Sequence, residues 1–375
     1  MKFLHLSDLH LGKRVCEQSM LAEQRAMLDQ ALALARRVDV TLIAGDIYDR
    51  QVAPAEAVTL FDEFLTRMSA QGSRVVLIAG NHDSAERVAF GARLLDRCAV
   101  HVSTVYDGRA QRVELIDEHG PVHIHLLPFV KPSQVRAALG REDVEDYTDA
   151  IRAAVEAMDI DLSARNVLVA HQFVTGASRS ESEEISIGGL DDVDASVFDA
   201  FDYVALGHLH RAQSLCGGRV RYSGAPLCYA FSECEQEKGA LLVELGKKGD
   251  EVRAQMLPIV PERRMRRLRG PFALLCDPHR SQTTQDYVQI TLTDEDDVPE
   301  AVGRLREMYP NLLQLLYDNA RTRAGEADFS APAALQRAPS DWFAQLYAQQ
   351  NGAEMTEEQR GIVEALAREI WEGDA

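Results

Sequence analysis

Short apolar runs rich in β-branched residues alternate with amphipathic stretches from Met1 to about Leu245. Phe3 to Ser7, Val40 to Ala44, Val75 to Ala79, Val167 to Ala170 and Tyr203 to Leu206 read as strands. Between them, Leu21, Leu28, Leu32 and Ala35 recur on one helical face. Val58, Phe61, Leu65 and Met68 recur on the face of a second helix, with Pro54 near its start and Gly72 just past its end. Ala225 to Ala230 and Gly239 to Leu245 are β-like without an intervening helix, as if strands close a second sheet. The alternation predicts an α/β domain over 1–245 with a central sheet or paired sheets.

Beyond Leu245 the pattern changes. Pro258 to Gly270 is a proline-flanked segment carrying five arginines (Arg263, Arg264, Arg266, Arg267 and Arg269), and 246–270 is expected as a basic connector. Tyr287 to Thr293, Val298 to Met308 and Leu312 to Tyr317 then read as strand, helix and strand, a β-α-β unit that places a small α+β domain over 271–325. Arg321 to Pro339 is rich in Ala, Arg and Pro with weak periodicity, and a linker is expected over 326–339. Two helices are expected in 340–375. Trp342, Phe343, Leu346 and Tyr347 share helical spacing, and Thr356-Glu357-Glu358-Gln359 forms a capping box ahead of Ile362, Leu366 and Ile370. Apolar faces on such short helices beyond a linker suit a partner as well as a core.

At 375 residues the chain exceeds the roughly 100–200 of one domain. No apolar run approaches the ~20 residues needed to span a bilayer, and the first strand begins too close to Met1 for a cleaved signal peptide. A cytoplasmic protein with no membrane association is expected. The six cysteines include no Cys-x-x-Cys pair, which fits reduced thiols better than a disulfide frame or a thiolate zinc site. The net charge of −19 argues against a nucleic-acid partner on its face. Much of it lies in local runs, however, such as Glu142 to Asp146, Glu181 to Glu184, Asp191 to Asp194 and Asp294 to Asp297, which read as solvated loops. Bound divalent metals would also reverse the field where a phosphate must sit.

Five polar motifs close the five strands: Asp8-Leu9-His10, Gly45-Asp46-Ile47-Tyr48-Asp49, Gly80-Asn81-His82-Asp83, the single His171, and Gly207-His208-Leu209-His210. Open α/β sheets gather their chemistry at the carboxyl ends of strands, so distant side chains can meet in one cleft. Hydrolysis of a phosphodiester at neutral pH needs a strong oxygen nucleophile and a clamp on developing charge. Two divalent metals ~3.5–4 Å apart supply both. Asp46 is the candidate bridging carboxylate. Asp8 with His10, and His208 with His210, lie two apart at strand ends, where both members of a pair can face one ion.

In these motifs the chain resembles the calcineurin-like metallophosphoesterase superfamily, whose fold is a β-sandwich flanked by helices. The form Gly-Asp-Ile-Tyr-Asp, the run Ala205-Leu206-Gly207-His208-Leu209-His210 followed by Arg211, and the tripartite layout resemble the nuclease subunits of SbcCD-type complexes. The resemblance implies that Asp8, His10, Asp46 and His210 hold one metal, and Asp46, Asn81, His171 and His208 the other. It implies manganese, with magnesium a poor substitute. His82 would be catalytic, contacting the scissile phosphate or protonating the leaving oxygen. Asp83 could fix the tautomer of a nearby histidine, and Asp49 would support the first metal. The implied activity is a 3'–5' exonuclease on duplex DNA ends and an endonuclease on single strands and hairpins. The small domain would cap the cleft, the terminal helices would bind an SbcC-like ATPase, and the chain would pair as a homodimer within a heterotetramer. The chain has no Gly-x-x-x-x-Gly-Lys-Ser/Thr loop of its own, so ATP dependence must come from the partner.

Plainer roles fit other residues. His123 and His125 alternate as if on the polar face of a strand, and His5, His101, His119 and His279 read as packing or surface residues. Lys13 and Arg14 fit phosphate contacts or a solvated loop equally well. The arginine cluster suits DNA, a partner, or a polar connector salt-bridged to the acidic surface. Two other functions compete: a small-molecule phosphodiesterase or phosphatase, which the extra residues after Leu245 disfavour, and a mainly structural tether of DNA ends, which the complete ligand set disfavours.

Overall fold

The apolar runs assemble into two six-stranded sheets packed face to face. The computed structural model describes residues 1–178, 192–277, 284–320, 322, 343–344, 346–347 and 354–373. Across the first sheet the strands run Arg253–Pro258, Gly239–Glu244, Lys2–Leu6, Val40–Ala44, Arg74–Ile78 and Val100–Val102. The last four are parallel, and Gly239–Glu244 runs antiparallel to both of its neighbours. Across the second sheet they run Gln213–Leu215, Val220–Tyr222, Tyr203–Gly207, Arg165–His171, Gly120–Leu126 and Gln111–Asp117. Its four central strands are parallel and its edges antiparallel.

The continuous apolar character of the central strands follows from burial on both faces. With a side-chain period of two, Phe3, Leu42, Val76 and Ile78 point between the sheets, where they meet Ile124, Val167, Val169, Tyr203 and Ala205. The alternate residues face outward. Leu4, Leu6, Ile43, Val75 and Leu77 pack under helices Leu21–Ala35 and Ala55–Ala70. Leu168, Ala170, Val204 and Leu206 join the cluster that includes residues of helices Pro132–Leu139 and Tyr147–Glu156. His5 is buried between the sheets, its Nδ1 2.9 Å from the Tyr203 hydroxyl and its Nε2 3.1 Å from the Leu206 carbonyl.

Several expectations are corrected. On helix Ala55–Ala70 the buried face is Ala57, Leu60, Phe61, Phe64 and Met68, so Val58 is exposed. Ala225 to Ala230 forms no strand. Its backbone follows the His210 loop instead, with Ala225 N–H donating to His210 O at 3.1 Å and Ala225, Leu227 and Tyr229 buried. The expected connector 246–270 contains two strands: Arg253–Pro258 is the edge of the first sheet, and Met265–Gly270 belongs to the small domain. His123 and His125 are buried rather than solvent-facing, and His125 Nε2 lies 3.1 Å from Asn166 Oδ1.

The small domain is a parallel three-stranded sheet, Met265–Gly270, Tyr287–Leu292 and Leu312–Tyr317, with Ala301 and Leu305 of helix Ala301–Met308 packed over Val288, Ile290 and Leu292. In helix Glu357–Gly373 the capping box closes: Gln359 N–H donates to Thr356 Oγ1 at 3.2 Å, and Thr356 N–H to Gln359 Oε1 at 2.9 Å. Ile362 and Leu366 on that helix are exposed, as are Phe343 and Leu346. Trp342, His279, the linker 326–339 and the acidic run Glu181 to Glu184 lie outside the described residues. Among the described residues no helix is long and apolar enough to cross a membrane.

At the end of the sandwich opposite the motifs, Arg165 is fully buried. Its guanidinium donates to both carboxylate oxygens of Asp117, to Gly120 O at 2.7 Å and to Gly246 O at 2.9 Å. Asp117 is partly exposed, but the guanidinium it neutralises is not, and removing the carboxylate leaves that buried charge uncompensated. Asp117→Ala is therefore expected to lower unfolding free energy by about 3 kcal/mol, read from denaturant melts; a loss below about 1 kcal/mol would match a surface pair instead.

Candidate metal centre

All five motifs emerge at one rim of the sandwich. Strands Lys2–Leu6, Val40–Ala44 and Arg74–Ile78 deliver the first three, and Arg165–His171 and Tyr203–Gly207 the last two. Beyond the first strand the loops keep pairing: Asp8 N–H donates to Gly45 O (3.1 Å), His10 N–H to Asp46 O (3.0 Å) and Leu11 N–H to Ile47 O (2.9 Å). Backbones approach one another closely here. A Cβ at Gly207 would lie 1.9 Å from Ala44 O, and one at Gly80 2.2 Å from Asp46 Oδ1. Asp8, His10, Asp46 and His208 all take left-handed backbone, with φ of 53°, 43°, 48° and 100°. Such conformations cost about 1–3 kcal/mol each and concentrate at functional sites.

The side chains converge. Ligand-type atoms of Asp8, His10 and His210 lie within 4.8 Å of one another, as do those of Asp8, Asp46 and His171, and those of His10, Asp46 and His82. His10 Nε2 is 3.0 Å from His210 Nε2 and 3.7 Å from Asp46 Oδ2. Asn81 Oδ1 sits between two imidazoles, 2.9 Å from His171 Nε2 and 3.1 Å from His208 Nδ1. Asp46 Oδ2 is 3.3 Å from His171 Nε2. Asp46 thus reaches both groups of side chains.

Hydrogen bonding fixes which atoms face inward. A carbonyl oxygen only accepts, so His171 donates Nδ1–H to Ala44 O at 2.8 Å and turns Nε2 toward Asn81 Oδ1 and Asp46 Oδ2. His10 Nδ1 is buried without a hydrogen-bond partner. The nitrogen and oxygen donor set gathered here suits divalent ions of intermediate hardness. The residues fit two such ions.

Charge in the cluster follows the same logic. Burial pushes the Asp8 carboxyl up. Burial also opposes charge on Asp46, but His171 and His10 outweigh it and hold that carboxyl well below the usual range. Burial disfavours charge on His171 as well, yet the Asp46 and Asp8 carboxylates lift it to about 9. On His10 burial prevails and the pKa falls.

The remaining motif residues surround this cluster. His82 is half-buried at its edge. Its N–H donates to Asp46 Oδ1 at 3.0 Å and its Nδ1–H to Asp49 O at 3.1 Å. Asp49 Oδ1 accepts from Lys13 Nζ at 2.6 Å and lies 3.8 Å from His10 Nδ1. Arg14 pairs with Glu17. Asp83 does not meet a histidine. It accepts the N–H groups of Ile47 (3.0 Å), Tyr48 (2.9 Å) and Gly80 (2.9 Å), locking the second and third motif loops together. Burial and the nearby Asp46 push its pKa up to about 6 against those three bonds.

The carboxylate that does meet a histidine is Glu233, which sequence reasoning missed. It is fully buried, its Oε1 lies 3.1 Å from His210 Nδ1, and its Oε2 lies 2.8 Å from Lys238 Nζ. Burial raises its pKa, but His210 and Lys238 outweigh that and hold it at about 2. Gln24 and Tyr229 were missed too: Gln24 Nε2 donates to His10 O at 2.7 Å, and the Tyr229 hydroxyl donates to Leu9 O. None of the three sits in a motif, and no spacing in the chain marks them.

The family described as calcineurin-like phosphoesterase matches residues 1–212, and the one described as type 5 capsule protein repressor C-terminal domain matches residues 261–351. The D subunit of the nuclease SbcCD from Staphylococcus epidermidis is 29% identical over 322 residues, which cover 84% of this chain and 85% of that protein. Its counterpart from Staphylococcus saprophyticus is also 29% identical over 322 residues, covering 84% of each. A solved β-glucosidase from Exiguobacterium marinum aligns at a TM-score of 0.23 and 9% identity over 84% of this chain and 89% of that one, too little shared geometry to bear on fold or chemistry. A match over residues 1–212, the stretch that supplies every strand ending in a motif, establishes that the chain belongs to the calcineurin-like phosphoesterase family.

Proposed function

We propose that the chain is a manganese-dependent DNA nuclease subunit that hydrolyses phosphodiesters with two metal ions and acts with an SbcC-like ATPase in DNA end processing, repair and recombination. The observation that carries the proposal is the convergence of Asp8, His10, Asp46, Asn81, His171, His208 and His210 on one buried rim, with acceptor atoms turned inward. Asp8, His10, Asp46 and His210 would hold one ion, and Asp46, Asn81, His171 and His208 the other. The bound ions would supply a nucleophilic water at neutral pH and neutralise charge on the phosphoryl oxygens.

The chain's own residues do the rest. His82 donates Nδ1–H to the Asp49 carbonyl, which leaves Nε2 as the atom that handles the leaving-oxygen proton at the scissile phosphate. Asp49 anchors Lys13 at the rim, and Asp83 keeps the loops of Asp46 and His82 in register. The choice of DNA rests on similarity to the Staphylococcus nuclease subunits and on the second matched region, 261–351. A duplex-end exonuclease of 3'–5' polarity, endonuclease activity on single strands and hairpins, a homodimer within a heterotetramer, and a cytoplasmic location complete the proposal. The exposed Phe343, Leu346, Ile362 and Leu366 suit the ATPase partner.

With manganese, the purified chain is expected to cut a labelled hairpin duplex, chelator should abolish the cutting, and a chromogenic phosphate ester should turn over far more slowly. Asp46→Ala should lose both ions by elemental analysis; two ions still bound per chain would refute a shared carboxylate. His82→Gln should keep its metal yet cut roughly 10²–10⁴-fold more slowly, and undiminished cutting would remove the role given to His82. Deleting Ser340 to Ala375 should abolish association with the ATPase and spare hairpin cutting, so equal co-purification would sink the partner assignment.

A further inference from the structure

We propose that Glu233, with Lys238 behind it, is a positioning residue for the first metal site, and that it acts only through His210. This rests on the reading of His210 as a ligand. His210 sits at the end of strand Tyr203–Gly207, and its ring has two nitrogens that compete for the same cation. Glu233 removes the choice. Paired with an ammonium, its carboxylate only accepts, so the 3.1 Å contact takes the Nδ1–H of His210 and leaves the lone pair of Nε2 facing His10 Nε2, 3.0 Å away.

Two further groups hold the carboxylate itself. Lys238 Nζ lies 2.8 Å from Oε2 and also donates to the His210 backbone carbonyl at 2.8 Å, so one ammonium ties the acceptor and the chain that carries the ring. Tyr229 N–H donates to Oε2 at 3.2 Å. Cys228 Sγ lies 3.5 Å from the Glu233 carbonyl, which fixes the short helical turn Phe231–Glu233. A fully buried carboxylate and a side chain of Lys238 that is only 7% exposed are costly unless they are paired. Here both are paired, and both are spent on one imidazole. His171 is set differently, by a backbone carbonyl. The two proposed sites therefore differ: a charged carboxylate raises the basicity of the ligand at the first, and a neutral carbonyl does so more weakly at the second.

Manganese binding to the full chain, followed by the electron paramagnetic resonance of free Mn²⁺, tests this without reference to catalysis. The unaltered chain should bind two ions. Glu233→Gln should weaken one site roughly 10- to 100-fold and leave the other unchanged, and Lys238→Gln should weaken the same site by a smaller factor. His210→Ala should weaken that site too, and adding Glu233→Gln to it should cause no further loss. Two sites of unaltered affinity in Glu233→Gln, or a full additional loss in the double variant, would overturn the assignment. Should Glu233→Gln fail to fold by circular dichroism, Lys238→Gln decides alone, and unchanged affinity in it counts against the proposal. An unaltered chain that binds no manganese overturns the metal reading itself and this inference with it.

Discussion

Two carboxylates, Asp8 and Asp46, are buried at the meeting point of two sheets, and the rest of the rim is organised around compensating them for lost water. A carboxylate stripped of solvent is costly unless positive charge or hydrogen-bond donors replace the water. Donors are supplied first: His208 N–H and Ser7 Oγ serve Asp8, and His82 N–H serves Asp46. Positive charge comes from His171, on which the two carboxylates favour a proton, or from a cation that would displace that proton. With its Nδ1–H donated to a backbone carbonyl, His171 turns Nε2 toward Asp46 and Asn81, where that exchange would occur. The same demand accounts for four left-handed residues in one site. Their strain persists because the loop-to-loop hydrogen bonds after the first strand over-determine the backbone.

What could be read from the chain alone was whatever is local. Strand ends, the order of motifs and the capping box at Thr356 are fixed by neighbours within a few positions, and the structure places them where the pattern does. What could not be read depends on partners far away. Glu233 meets its histidine 23 positions back, and Asp83 bonds backbone groups 35 and 36 positions away. A motif containing both His82 and Asp83 gives no sign that one faces the cluster and the other turns away to clamp two loops. The strand Arg253–Pro258 was hidden for a related reason. It is an edge strand of mixed composition, recognisable only because Gly239–Glu244 offers it a free side.

The arginine cluster shows how charge along a sequence differs from charge on a surface. Of its five members, Arg263 pairs with Glu23, Arg266 with Asp286 and Arg269 with Asp318. More than half of the apparent basic patch is thus neutralised in place, and alternation along strand Met265–Gly270 puts Arg267 and Arg269 on the same side of the small sheet. For the proposed DNA substrate, a negatively charged chain would have to concentrate its attraction at the cleft, where bound cations would reverse the field of Asp8 and Asp46. Salt dependence would accordingly be shallower than for a protein that tracks the backbone with many free lysines and arginines.

One turn of helix Leu21–Ala35 touches both the small domain and the rim. Glu23 is fully buried and takes both the N–H and the guanidinium of Arg263, at 3.2 and 3.0 Å, at the root of the small domain. Gln24, the next residue and equally buried, donates to the His10 carbonyl and accepts from Gly12 N–H at 3.0 Å. Adjacent side chains on one helical turn point about 100° apart, so the turn can grip a domain on one side and a ligand loop on the other. Helix packing in the outer layer keeps that turn fixed, because Met27, Leu28 and Ala31 are buried against the first sheet.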